Sequence, residues 1–194
     1  RAASTLTLIL AGVAITGFAG AATALALNLA PNPFAVTEIV FWMMGSLADR
    51  SISHLLLAAP LMILGWALLL TSGRALDALT LGEETAASLG VRLSRLRFTL
   101  VLGTALAVGS GVAVTGAVGF VGLVAPHLLR PFVAHQPSRL LVASAFAGAV
   151  LVLAADIAIR LITVGPELKL GVVTALIGAP FFLVLVMRLR RETI

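Results

Sequence analysis

The sequence has no cysteine and few charged residues. Of its 194 residues, 11% are charged, whereas soluble domains carry about 25%. Without cysteine, the chain can form neither disulfide bonds nor thiolate metal sites. With 60% hydrophobic residues and a mean hydropathy of +1.14, it has too little polar surface to cover a water-soluble globule. These proportions indicate a protein that folds in a lipid bilayer.

Several catalytic and ligand-binding patterns are also missing. No phosphate-binding loop of the form G-x-x-x-x-G-K-[ST] occurs, so we expect this chain not to hold ATP itself. No H-E-x-x-H pattern, carboxylate cluster or Ser/His/Asp arrangement is visible. We therefore predict a protein that is not an enzyme and has no cofactor or metal. Nucleic-acid binding is not expected despite the net charge of +5, because the basic residues end apolar runs without interleaved aromatic residues.

Long apolar runs predict an all-α membrane protein with about six transmembrane helices. A spanning helix needs about 20 apolar residues, and such runs cover residues 6–27, 52–71, 140–159 and 170–187. The uncharged stretch of residues 98–129 can cross twice if it turns near residues 116–119 and continues to about residue 133. A shorter run at residues 36–48 predicts an interfacial helix. Small residues four apart, such as Gly12 and Thr16, predict a helical bundle.

The basic residues favour two crossings of residues 98–129 over one. With one crossing, they divide seven to six between the two sides of the membrane. With two crossings, three lie on one side (Arg50, Arg160 and Lys169) and ten on the other (Arg1, Arg74, Arg92, Arg95, Arg97, Arg130, Arg139, Arg188, Arg190 and Arg191). The positive-inside rule then predicts that both ends of the chain and residues 74–97 are cytoplasmic.

The chain begins with Arg1 and has no charged residue from position 2 to position 37. That stretch is longer than the apolar region of a signal peptide, which has about 7–15 residues. We expect residues 1–194 to be a single transmembrane domain that is truncated at its N-terminal side, just before a membrane helix.

Residues 74–97, here called the polar segment, interrupt the apolar sequence with R-A-L-D-A-L-T-L-G-E-E-T-A-A-S-L-G-V-R-L-S-R-L-R. A short helix is predicted between Gly82 and Gly90, with the second glycine ending it in a left-handed conformation. Glu83 and Glu84 would lie in its first turn, where the helix dipole favours negative charge.

The remaining residues of the polar segment leave two interpretations open. Leu79 and Leu89 are apolar positions in a loop, and Ala86 is small enough to allow close approach by a partner. The segment is either an amphipathic loop at the membrane interface or a short helix that fits a cleft on a cytoplasmic protein.

Two charged residues fall within the fifth predicted span. Asp156 and Arg160 are four residues apart, so they share a helix face and can form an ion pair. The pair would anchor the helix end at the interface, or Arg160 would present positive charge to an external partner. A proton relay at Asp156 is less favoured, because a carboxylate beside an arginine stays ionised. His127, which follows Pro126, is interpreted as a packed, hydrogen-bonded histidine rather than a ligand.

Four motifs resemble those of one family, the FecCD or vitamin B12 importer-like permease subunits of binding-protein-dependent ABC importers. They are G-E-x-x-A-x-x-L-G at residues 82–90, G-A-V-G-F-V-G-L-V-A-P-H-L-L-R at 116–130, L-A-A-D-I-A-I-R at 153–160 and P-E-L-K-L-G-V-V-T-A-L-I-G-A-P-F-F at 166–182. They occur in the family's order and spacing, and the resemblance covers the chain from about Leu6 onward. The sequence departs from the family at Lys169, where proline is usual, and at residues 135–139.

The resemblance implies a function in transport. Family permeases have about ten transmembrane helices, form homodimers and move iron–siderophore, haem or cobalamin-type substrates across the cytoplasmic membrane of bacteria or archaea. This chain looks like the C-terminal six helices. ATPase subunits would dock on the coupling helices, here residues 79–90, and an extracytoplasmic binding protein would meet the arginine at the position of Arg160.

The resemblance also suggests residues beside the pathway. The helix at residues 36–48, with Trp42 and Met43, would lie beside it on the outer side, and Ser4 and Thr5 near an inner gate. Pathway or packing roles are expected for Gly119, Pro126 and His127.

The alternative is an ion-coupled secondary transporter or channel, which needs titratable groups and half-helices in the membrane. The glycine-rich break near residues 116–122 fits that alternative. The lone carboxylate of Asp156 does not, and the polar segment would then be left without a role.

Overall fold

The computed structural model describes residues 5–162 and 168–192, which form a helical bundle. Its helices are α1 (Thr5–Asn28), α2 (Pro33–Met43), α3 (Ile52–Thr71), α4 (Gly73–Leu79), α5 (Glu83–Ser88), α6 (Leu93–Thr115), α7 (Val121–Leu129), α8 (Pro137–Ile162) and α9 (Leu170–Glu192). A 3-10 turn at Arg130–Val133 connects α7 to α8. Ser4 and two residues of the fourth motif, Pro166 and Glu167, lie outside the described ranges.

Local capping explains where the helices begin and end. The bounds of α3 are those predicted. The helix α2 was predicted at residues 36–48, but it begins three residues earlier and ends five residues earlier. The side chain of Asn32 accepts a hydrogen bond from the backbone N–H of Ala35 at 2.9 Å, and Pro33 occupies the first helical position. Beyond Met43, the positive φ of Gly45 (72°) is incompatible with a continued helix.

Four described helices are long and apolar enough to cross a bilayer: Leu6–Asn28, Ile52–Thr71, Leu93–Thr115 and Pro137–Ile162. Three apolar helical stretches in the described residues are shorter. They are α2 (Pro33–Met43), α7 with the 3-10 turn that follows it (Val121–Val133), and the first part of α9 (Leu170–Leu185). The helix is interrupted between α6 and α7, close to the predicted position, at Gly116 and Phe120, which have φ angles of 76° and 64°. At 1.5 Å per residue, Val121–Val133 is only about 20 Å long, against a hydrocarbon core of about 30 Å. The count of six full crossings therefore stays a prediction.

The most extensive helix contact joins α3 to α6. A Cβ atom added at Gly65 of α3 would lie 2.5 Å from the backbone nitrogen of Ala107 and 2.6 Å from the carbonyl oxygen of Gly103, both on α6. Gly103 and Ala107 are themselves buried and four residues apart, so they form one small-residue face. Such a face lets two backbones approach closely, which is how helices associate in lipid.

A second close contact joins three chain segments that are distant in sequence. The backbone N–H of Ser46 donates to the carbonyl of Thr115 at 2.8 Å, and that of Gly171 donates to Gly45 at 3.2 Å. An added Cβ at Gly45, Gly116 or Gly171 would collide with backbone atoms of the other segments. Lipid cannot form hydrogen bonds with backbone N–H and C=O groups, so these groups pair with each other. The pairing holds together three segments: the end of α2, the connection between α6 and α7, and the start of α9.

Of the small residues singled out in the sequence, Gly12 is not close-packed, because an added Cβ there would meet nothing within 4 Å among the described residues. Gly116, in the predicted glycine-rich break, is instead close-packed against Trp42 and Gly45. Tight contacts also fall at Gly65 and Gly103, which were not singled out.

We predict that Gly65→Ala destabilises the protein. The added methyl group would press against the backbone of α6, and overpacking of this kind costs about 1–3 kcal/mol. The matched control is Gly109→Ala, since a Cβ there would meet no atom within 4 Å. In thermal unfolding of the intact protein in detergent, Gly65→Ala should lower the midpoint and Gly109→Ala should not. Equal midpoints would contradict the close approach of α3 and α6.

Candidate functional site

The polar segment contains two short helices that connect α3 to α6. The second of them, α5, follows Gly82, with a φ of 99°, and precedes Leu89 and Gly90, the latter with a φ of 88°. The predicted helix and its two glycine boundaries are therefore confirmed. The turn after α5 is closed by a hydrogen bond from the backbone N–H of Val91 to the carbonyl of Ala86 at 3.0 Å. Because an L-residue is strained at these φ angles, glycine is needed at both positions.

The helix α5 has one buried residue and otherwise exposed side chains. Ala86 was expected to allow close approach by a partner, but it is fully buried against the rest of this chain and so is not part of the exposed surface. Leu81 and Leu89, on either side of the helix, are each 63% exposed, and Glu84 is exposed between them. Leu79, the last residue of α4, is half-buried. Two exposed leucines beside a carboxylate form a small amphipathic surface suited to a partner protein.

An ion pair ties α5 to α6. A guanidinium nitrogen (Nη2) of Arg97 lies 2.8 Å from Oε1 of Glu83, and the two side chains are 22% and 58% exposed. An ion pair this exposed contributes about 0.2–1 kcal/mol, so it orients the helix more than it stabilises the fold. The structure thus gives Glu83 a contact within the chain, which sequence reasoning had not anticipated.

A second contact, also unanticipated, ties α4 to α8. The carboxylate of Asp77 accepts a hydrogen bond from the backbone N–H of Ser138 at 2.8 Å and one from the amide of Gln136 at 3.5 Å. Hydrogen bonds from Ser138, through its hydroxyl and then its N–H, hold the pKa of Asp77 below its usual range. The contact is therefore complete at neutral pH and is lost only as pH falls through that lowered pKa. No local signal predicts a pair 61 residues apart.

Trp42 and Met43 of α2 line a cavity of about 570 Å³ between α2 and α6. Its wall is mostly apolar, with Glu38 as its acidic residue. The other pathway candidates lie elsewhere: Gly119 precedes α7, and Pro126 and His127 lie within it. The ring of His127 packs edge-on against Phe181 of α9, with centroids 6.4 Å apart. The structure therefore brings together Trp42 and Met43 but not all five candidates.

A smaller cavity of about 400 Å³ adjoins α2 and contains several charged groups that sequence reasoning missed as a cluster. The guanidinium of Arg50 lies 5.4 Å from the ring centroid of Trp42, and the ammonium of Lys169 lies 5.7 Å from that of Phe41. Cation–π contacts at these distances hold both cations against α2.

The predicted pair near the end of α8 is formed. Nε of Arg160 lies 2.8 Å from Oδ2 of Asp156, and their side chains are 57% and 18% exposed. The pair suits both an anchoring role and the presentation of positive charge. Among residues 5–162 and 168–192, no group of three or more His, Asp or Glu side chains is arranged to hold a metal ion.

The sequence matches the model of the FecCD transport family over residues 1–188. It is 40% identical to the vitamin B12 import system permease protein BtuC of Vibrio cholerae over 186 residues, 95% of this chain and 55% of that protein. It is 38% identical to the hemin transport system permease protein HmuU of Yersinia pestis over 185 residues, again 95% and 55%. The Fe(3+) dicitrate transport system permease protein FecD of Escherichia coli is 42% identical over 159 residues, 82% of this chain and 50% of that protein.

A solved structure is similar over almost the whole chain. It is described as an inward-facing conformation of a metal-chelate type ABC transporter, and it superposes with a TM-score of 0.87 at 34% identity. The match covers 95% of this chain and 60% of that one, and the chain spans about half the length of the curated relatives above. On sequence and fold together, the chain belongs to the FecCD transport family.

Proposed function

We propose that this chain is part of the permease of an ABC importer. The intact protein would move a metal chelate, haem or cobalamin-type substrate across the cytoplasmic membrane of a bacterium or archaeon, using ATP hydrolysis by a partner subunit. The observation that carries the proposal is the polar segment, in which α5 lies between two positive-φ glycines beside exposed leucines. The names of the relatives, which are permeases for vitamin B12, hemin and Fe(3+) dicitrate, support the substrate class.

We infer that residues 79–90 dock into a cleft on the ATPase. Leu79, Glu84 and Leu89 supply the contact surface, since an exposed amphipathic helix binds by inserting its apolar side chains into a groove. Gly82 and Gly90 shape the two turns around the helix. The asymmetry of the basic residues favours the cytoplasm for this segment and for both ends of the chain.

On the opposite side, we infer that Arg160 meets an acidic group of a substrate-binding protein. Its side chain is more than half exposed although it is paired with Asp156. The cavity at Trp42 and Met43 would form part of the pathway wall, and a second copy of the permease would complete the pathway. The pathway would open alternately to the two sides of the membrane if the ATPase dimer changes its preference when it closes over ATP. The closed dimer would then bind the polar segments of the two permease copies better in one arrangement than in the other.

The ion-coupled alternative gains no support. It requires titratable groups and half-helices within the membrane, but Asp156 lies near the end of α8 in an ion pair with Arg160 at 2.8 Å. It also leaves the exposed leucines of the polar segment without a partner.

Leu89→Asp is expected to block ATP-driven uptake while membrane insertion stays normal. Burying one leucine contributes about 1.5–3 kcal/mol, so the affinity of the ATPase should fall at least about tenfold. Gly82→Pro should have the same effect, since proline cannot adopt the positive φ of this position. Uptake of labelled substrate into vesicles and ATPase stimulation are the measurements, with Leu89→Met as the control that keeps the apolar contact. Normal uptake by Leu89→Asp would exclude the docking assignment.

Arg160→Glu should weaken binding of the substrate-binding protein in a low-salt pull-down with the intact importer, because charge complementarity at the rim of an interface is reversed. Asp156→Asn breaks the same ion pair but keeps the arginine, so it serves as the matched control and should bind normally. If both variants lose binding equally, the pair anchors the helix end and Arg160 is not a docking residue.

A further inference from the structure

The contact between Asp77 and Ser138 is an N-terminal helix cap supplied by a different helix. The first backbone N–H groups of α8 have no partner within their own helix, and a carboxylate that accepts from one of them supplies what a local capping residue normally would. The two helices also pack tightly here. Gly73 is buried, and a Cβ added to it would lie 3.1 Å from Cβ of Ser138. Within the described residues, α4 packs more extensively against α8 than against its sequence neighbours α3 and α5.

The helix α8 is an uninterrupted connection from this cap to the proposed docking arginine. No proline occurs between Ser138 and Arg160, whereas α3, α7 and α9 each contain one. At 1.5 Å per residue, the distance along the helix between these residues is about 33 Å, comparable to the thickness of the hydrocarbon core. A displacement at the first turn of α8 would therefore meet no proline kink on the way to its other end.

We propose that Asp77 is a positioning residue that links the polar segment to α8, so that the ATPase surface and the binding-protein surface are coupled through one helix. This inference rests on the proposed function, which assigns the polar segment to the ATPase and Arg160 to the binding protein. The two helices of the polar segment then act on different parts of the bundle. Through Glu83 and Arg97, α5 moves with α6, whereas α4 moves with α8 through Asp77.

The first test compares Asp77→Ala with Asp77→Asn in the intact importer, reconstituted with its ATPase and binding protein. Alanine removes the acceptor, whereas asparagine keeps a carbonyl oxygen at the same place. Asp77→Ala should reduce the stimulation of ATP hydrolysis by the binding protein about fivefold, the equilibrium change expected for one lost helix cap, with an unchanged basal rate. Asp77→Asn should retain stimulation. So should the control Thr99→Val, which removes a hydroxyl bonded within α6 itself.

The second test replaces the hydrogen bond with a covalent one. The sequence has no cysteine, and a Cβ added at position 73 would lie 3.1 Å from Cβ of Ser138, slightly closer than the roughly 3.5–4.5 Å of a disulfide, so a small outward shift accommodates the bond. In Gly73→Cys/Ser138→Cys with Asp77 present, oxidation should leave stimulation intact, because a rigid link does not open during the cycle. In the same pair combined with Asp77→Ala, oxidation should restore stimulation and reduction should remove it.

Three results would overturn the link. The first is full stimulation in Asp77→Ala. The second is a loss of stimulation in Asp77→Asn as large as that in Asp77→Ala. The third is a loss of stimulation when the cysteine pair is oxidised with Asp77 present. The third result stands even if Asp77→Ala fails to assemble. A wild-type protein that neither copurifies with an ATPase nor responds to a binding protein would instead refute the proposed function, and the link with it.

Discussion

The close approach of α3 and α6 is the constraint on which the rest of the structure depends. A methyl group added at Gly65 of α3 would collide with the backbone of α6, one added at Gly103 of α6 would press on α3, and this contact is the most extensive between any two described helices. In a bilayer the lipid is as apolar as the side chains, so close packing of this kind, rather than the exclusion of water, brings helices together. The polar segment leaves one of these helices and enters the other, so their contact sets the positions of both its ends.

Polar contacts attach the polar segment to the helices α6 and α8, and its leucine side chains remain largely exposed. Glu83 fastens α5 to α6, Asp77 fastens α4 to α8, and Ala86 seats the short helix, while Leu81 and Leu89 remain outside. This is the reverse of a stable loop on a water-soluble protein, which would bury its leucines. The arrangement holds an apolar surface in a fixed orientation while linking it to two long helices, as expected of a segment that transmits movement from a partner.

The sequence pattern predicted those features that depend on residues close together along the chain. It did not predict contacts between residues that are far apart in the sequence. The two glycines around α5 and the Asp156–Arg160 pair are local patterns, and both were predicted correctly. The start of α2 was misplaced although its signal, Asn32 followed by proline, is local and readable. The Asp77–Ser138 cap and the Gly65 contact join residues far apart in the sequence, so no window along the chain contains them. The number of full crossings also depends on how α7 lies in the bilayer.

The most direct test of the central claim, that the polar segment is the ATPase contact, is site-specific photocrosslinking in native membranes. A photoreactive residue at position 89 should form a crosslink to an ATP-hydrolysing subunit, because Leu89 is exposed on the proposed docking surface. The same residue at position 146, which is similarly exposed but lies near the middle of α8, should not. A crosslink from position 89 alone would support the account. Absence of that crosslink, with the ATPase present in the same membranes, would contradict it.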